Sequence, residues 1–175
     1  MGRDLYYRCP QMANPAQLKR GILIIDPQPN MATLVATMLF AIGRRDIRET
    51  NDATQAMMEM RRRQFDVIII DDAVTNPDAV ELVRRLRASP DGLNRTTPVI
   101  MMAAAPDATR IAAARDAGVT EFLRKPFAAT HLAARLDSIA EKPRDFIEHE
   151  TYTGPDRRRR LVGSDAPARR AADKS

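Results

Sequence analysis

The chain has 175 residues, 44% hydrophobic and 29% charged, a balance that suits one globular domain with appendages. It carries a formal net charge of +5, a single cysteine (Cys9) and two histidines, His131 and His149. These values argue against an internal disulfide and a zinc site, and no apolar run approaches the ~18–20 residues of a membrane span.

Residues 1–19 include Pro10 and Pro15, show no period and lack the apolar core of a secretory signal. They read as a flexible arm on a cytoplasmic protein. Ile22-Leu23-Ile24-Ile25 is a buried-strand run that closes on Asp26-Pro27. Helical spacing follows over 31–42 and stops at Gly43, a natural helix terminator. A weaker strand is predicted over 46–50 and a helix over 53–63, with Met57, Met58 and Met60 at its apolar positions.

Val67-Ile68-Ile69-Ile70 is the strongest strand and leads into Asp71-Asp72. The next helix spans 77–88, where Arg84, Arg85 and Arg87 read as a solvated face. A strand follows at Val99-Ile100-Met101-Met102, then a helix over 107–117 ended by Gly118. The last pair is a strand over 121–124, before Lys125-Pro126, and a helix over 130–140.

Apolar strands alternating with helices predict an α/β fold over residues 20–142, a doubly wound five-stranded parallel sheet covered on both faces. Ligand chemistry in such sheets sits at the carboxyl ends of the strands. Asp26, Asp71 and Lys125 fall there and are expected to converge. Residues 143–175 offer little apolar surface to offset ordering entropy, and are expected to be disordered without a ligand.

The order of Asp26, Asp71 and Lys125-Pro126-Phe127 within five strand–helix units resembles the CheY-like receiver domain of response regulators, a flavodoxin-like fold. The resemblance makes Asp71 the candidate phospho-acceptor. It also implies that two acidic residues after the first strand help the acceptor to hold magnesium, which requires oxygen ligands. Here Pro27 stands in place of one of them, so Asp26 and Asp71 are the only metal candidates, and magnesium enters only if the pocket still works. Asp72 cannot easily substitute, because successive strand residues face opposite ways. Ala103 stands where the family has a hydroxyl residue, and Phe122 at its aromatic switch position. Asp26, Lys125 and Ala103 thus form a degenerate pocket, in which Asp71 is either phosphorylated or fixed in an ion pair with Lys125.

Tyr152-Thr153-Gly154-Pro155-Asp156 precedes Arg157, Arg158, Arg159 and Arg160. Arginine runs are usually solvated, and Phe146, Ile147 and Tyr152 offer a means of docking the extension onto the body. A third reading starts from the all-arginine composition. Guanidinium planes stack on bases, fork onto the O6/N7 edge of guanine and pair with phosphate. Tyr152 supplies a stacking face, Gly154-Pro155 a turn, and Asp156 an acceptor for the guanine Watson–Crick edge.

A receiver-like body with this extension resembles the CheY-like cyclic di-GMP effectors, the Cle class. The resemblance implies a non-enzymatic signalling adaptor. It would bind cyclic di-GMP through Tyr152, Gly154, Asp156, Arg157, Arg158, Arg159 and Arg160, with the flagellar motor switch as a protein partner. Two alternatives stand beside it. One is a conventional response regulator that uses Asp71. The other, a nucleic-acid binder acting through the basic tail, is the less favoured.

Overall fold

A computed structural model describes residues 5–7, 20–149 and 151–157. Its elements in chain order are β1 (Leu5–Tyr7), β2 (Ile22–Ile25), α1 (Pro29–Ala41), β3 (Ile47–Thr50), α2 (Ala53–Arg62), β4 (Val67–Asp71) and α3 (Ala79–Ala88). They continue with β5 (Val99–Ala103), α4 (Ala108–Ala117), β6 (Glu121–Arg124), α5 (Ala129–Glu141), β7 (Phe146–His149) and β8 (Tyr152–Pro155).

Local chemistry sets the helix ends. Asp52, Asp78 and Asp107 cap α2, α3 and α4 by accepting the backbone N–H of Gln55, Glu81 and Arg110. Gly118 ends α4 at φ 102°, a left-handed conformation that a side chain would strain.

The five parallel strands run in the order β3-β2-β4-β5-β6, the flavodoxin-like arrangement expected from the sequence. Their alternating side chains build two cores. Leu23, Ile25, Ile68, Ile70, Val99 and Met101 pack against α2, α3 and α4. On the other face Ile22, Ile24, Val67, Ile69, Ile100 and Met102 meet Val35 and Leu39 of α1 and Leu132 and Leu136 of α5. Each fully buried side chain of this size contributes about 1.5–3 kcal/mol, so burial on both faces holds the sheet.

Short stretches of the arm and of the extension, residues 5–7, 146–149 and 152–155, form a second sheet. β1, β7 and β8 form an antiparallel sheet in that order, with Leu5 opposite Glu148 and Phe146 opposite Pro155. Gly154-Pro155 is therefore strand rather than turn; the chain reverses around Thr151. Pro155 is tolerated because β8 is an edge strand.

The physical reason for this second sheet lies in the body. Phe146 is only 3% exposed, with the Arg87 and Arg95 guanidinium carbons 5.9 and 5.6 Å from its ring centroid. Arg95 also bonds Glu148 of β7 at 2.6 Å, and β8 packs on α3 and α4. Arg87 departs from its expected solvated role. It is 2% exposed and donates to the carbonyls of Gly118 and Arg95.

Candidate functional site

Parallel register places the first candidate site. Ile25 of β2 lies beside Ile70 of β4, so the following residues, Asp26 and Asp71, become neighbours. Lys125 directly follows β6, and its backbone N–H donates to Ala103 at the end of β5. Asp26, Asp71, Lys125 and Ala103 thus converge at the carboxyl end of the sheet.

Lys125 Nζ contacts Asp71 Oδ2 and lies 3.5 Å from Asp26 Oδ2. The other oxygens are also held. Asp71 Oδ1 accepts the N–H of Ala73 at 2.9 Å, and Asp26 Oδ1 that of Gln28 at 2.9 Å. Asp26 is 1% exposed, and burial pushes its carboxyl above the ordinary value, assisted by the negative charge of Asp71. The Gln28 N–H and the Lys125 ammonium oppose that rise without cancelling it.

Among the described residues a magnesium ion would have the carboxylates of Asp26 and Asp71 as its side-chain ligands here. Two carboxylates share one ammonium, Pro27 contributes no third, and among the described residues no cluster of three acidic, histidine or cysteine ligands occurs. Asp72 is committed elsewhere, accepting Arg110 Nε of α4 at 2.7 Å. Ala103 is buried and offers no hydroxyl, while Phe122 packs half-buried against the core.

The second candidate site lies at the opposite end of β6. Gly154 sits against the turn before that strand; a Cβ there would come 3.0 Å from Gly118 Cα and 2.6 Å from Tyr152 Oη. Tyr152 Oη donates to the Pro155 carbonyl at 2.7 Å. Burial raises the pKa of this phenol, with Arg157 opposing the shift. The Arg157 guanidinium carbon lies 3.9 Å from the Tyr152 ring centroid, and its Nη1 is 3.1 Å from Asp116 Oδ1. The Asp156 N–H donates to the Asp145 carbonyl at 2.7 Å. Tyr152, Gly154, Asp156 and Arg157 therefore belong to one folded corner, whereas Arg158, Arg159 and Arg160 lie outside the described residues.

The four residues of β6 span about 13 Å at ~3.3 Å per residue, which separates the two sites. Several basic residues near this corner, Arg95, Arg115, Arg135 and Arg144, had no motif to mark them in the sequence. Among the described residues no helix is long and apolar enough to cross a membrane.

Comparison with known proteins adds to this geometry. The response regulator receiver domain model matches residues 22–137. Chemotaxis protein CheY-3 of Vibrio cholerae serotype O1 is 30% identical over 121 residues, covering 69% of this chain and 92% of its own. Chemotaxis protein CheY of Pseudomonas aeruginosa is 29% identical, covering 69% and 96%. A sensor histidine kinase receiver domain from Pseudomonas aeruginosa, with magnesium coordinated in its active-site cleft, superposes with a TM-score of 0.62 at 26% identity. That match covers 70% of this chain and 98% of the other. The β7–β8 hairpin and the arginines after it fall beyond the matched family segment. With its strand order, its Asp71–Lys125 pair and these relatives in agreement, the chain belongs to the response regulator receiver family.

Proposed function

We propose that this chain is a cytoplasmic, non-enzymatic signalling adaptor that binds cyclic di-GMP through its C-terminal extension. Its receiver-like body presents a face to a protein partner such as the flagellar motor switch. The observation that carries the ligand reading is the Arg157–Tyr152 stack at 3.9 Å. Stacking fixes the plane of a guanidinium before any ligand arrives, so less ordering entropy is lost on binding. Guanine and phosphodiester groups match such forked, planar cations. The pocket at the other end of the sheet supports the same conclusion. Pro27 stands in place of one acidic residue and Ala103 in place of a hydroxyl, so the residues for metal binding and switching are incomplete.

The test is calorimetry of the intact chain with cyclic di-GMP, before and after Arg157, Arg158, Arg159 and Arg160 are all replaced by lysine. Charge is kept but the forks are lost, and affinity is expected to fall by about tenfold or more. Equal affinity would reduce the extension to plain charge. A second reading, phosphorylation at Asp71, is favoured by the Asp71–Lys125 contact. Acetyl phosphate with magnesium would then add a phosphoryl mass to the parent chain and not to Asp71→Asn.

A further inference from the structure

A cleft of about 490 Å³ opens where α4, β6, α5 and the hairpin meet, within the size range of ligand sites. Four arginines from four different segments line it. Arg115 comes from the last turn of α4, Arg135 from α5, Arg144 from the stretch before β7, and Arg157 from the residues after β8. Phe122 and Glu121 complete the part of the lining that matters here.

Glu121 is 7% exposed. It accepts Arg144 Nη2 at 3.0 Å through one oxygen and lies 3.8 Å from Arg135 Nη1 through the other. Arg157 is paired with Asp116. Three of the four guanidinium groups thus lie within ion-pair distance of two carboxylates, Glu121 and Asp116. Among the described residues Arg115 has no ion-pair partner, and the buried Nε of Arg135 has no hydrogen-bond acceptor. An unpaired buried donor is costly, and clustered like charges repel. Both penalties are relieved by an anion.

We propose that this cleft is a binding site for an organic phosphate carrying two negative charges. Glu121 is its internal counter-anion, competing with the ligand for Arg135 and Arg144. The inference deepens the reading above and rests on it only for the identity of the natural ligand. It moves half of the recognition from the arginine run onto the receiver body. Guanidinium forks match phosphate oxygens, and arginines anchored in separate elements are preorganised. The body then senses the ligand directly, because Arg115 and Arg135 belong to α4 and α5, on either side of β6.

The experiment is calorimetry on the full chain with two probes, inorganic pyrophosphate and cyclic di-GMP. Arg115 is exposed and makes no ion pair among the described residues, so Arg115→Ala keeps the fold. It is expected to weaken pyrophosphate binding about tenfold, the worth of one charged hydrogen bond. Glu121→Gln is expected to tighten binding severalfold by releasing Arg135 and Arg144. Arg124→Ala, an exposed arginine beyond the cleft lining, is expected to change nothing.

Parent-like affinity in Arg115→Ala, or an equal loss in Arg124→Ala, overturns the cleft. If cyclic di-GMP binding then still depends on the arginine run, the proposed function survives without it. Arg115-dependent binding of pyrophosphate with no binding of cyclic di-GMP has the reverse meaning. The cleft stands and the proposed ligand falls. Binding of neither probe removes both.

Discussion

The Asp26 carboxyl is pulled in two directions. Burial and the neighbouring Asp71 disfavour its charge, while the Gln28 N–H and Lys125 favour it, and burial wins. A folded-state pKa above the unfolded value means that the folded chain holds more protons in the window above the usual carboxyl range. Stability therefore falls as pH rises through that window, and ionised Asp26 is a standing cost at neutral pH. Asp26→Asn is expected to melt at higher temperature than the parent at pH 7, with the gap narrowing on acidification. Other groups titrate in the opposite sense. Asp78 is held below its ordinary value, chiefly by the Glu81 backbone N–H, but this contribution is common to both chains and cancels in the difference. Thermal melts from pH 4 to pH 8 supply the check. A variant that melts lower at pH 7 would mean that the Lys125 pair stabilises more than burial costs. Much at this scale was legible. Asp26, Asp71 and Lys125 stood at predicted strand ends, and the structure brings them together. Arg87 was misread, although its signal was present. It lies four residues after Val83 and so shares the buried face of α3, whereas Arg84 and Arg85 pair with Glu81 on the exposed one.

Apolar periodicity and capping residues located every strand and helix of the parallel sheet to within about two residues, the usual scatter of element ends. The docking of Phe146, Ile147 and Tyr152 onto the body was legible, but the strand pairing of the hairpin was not, for a physical reason. Its strands have few apolar residues of their own, and Phe146 is covered by the stems and planes of body arginines that a linear reading assigns to water. Gly154 concentrates that dependence in one position. A Cβ there meets the tip of Tyr152, which can swing aside, and the backbone of Gly118, which cannot. Gly154→Ala is therefore expected to lift β8 from the turn before β6 and to destabilise the chain by about 1–3 kcal/mol, the usual cost of overpacking. Urea unfolding gives the size of the loss and amide exchange its location. Faster exchange confined to residues 152–154, with residues 22–25 still protected, is the expected pattern. Uniform acceleration would mean that the hairpin and the parallel sheet unfold as one unit.

At the scale of the whole molecule the two candidate sites occupy opposite ends of β6 and differ in sign. The Asp71 end holds two carboxylates around one lysine, while the hairpin end gathers arginines, so the net charge of +5 is not spread evenly. That asymmetry concentrates positive charge where an anionic partner would bind. A polyanion and a small dinucleotide separate in their response to salt. A protein that covers six to ten phosphates of a duplex releases their condensed counterions and loses roughly 10³–10⁵ in affinity between 50 and 200 mM salt. A ligand with two phosphates has no such condensed atmosphere, and a partly enclosed cleft screens poorly. The affinity of the full chain for cyclic di-GMP is therefore expected to fall by less than about tenfold over the same range of salt. Titrations at several salt concentrations, with a DNA duplex lacking guanine as the second ligand, make the comparison. A steep salt slope shared by both ligands would transfer the arginine-rich end from nucleotide sensing to nucleic-acid binding.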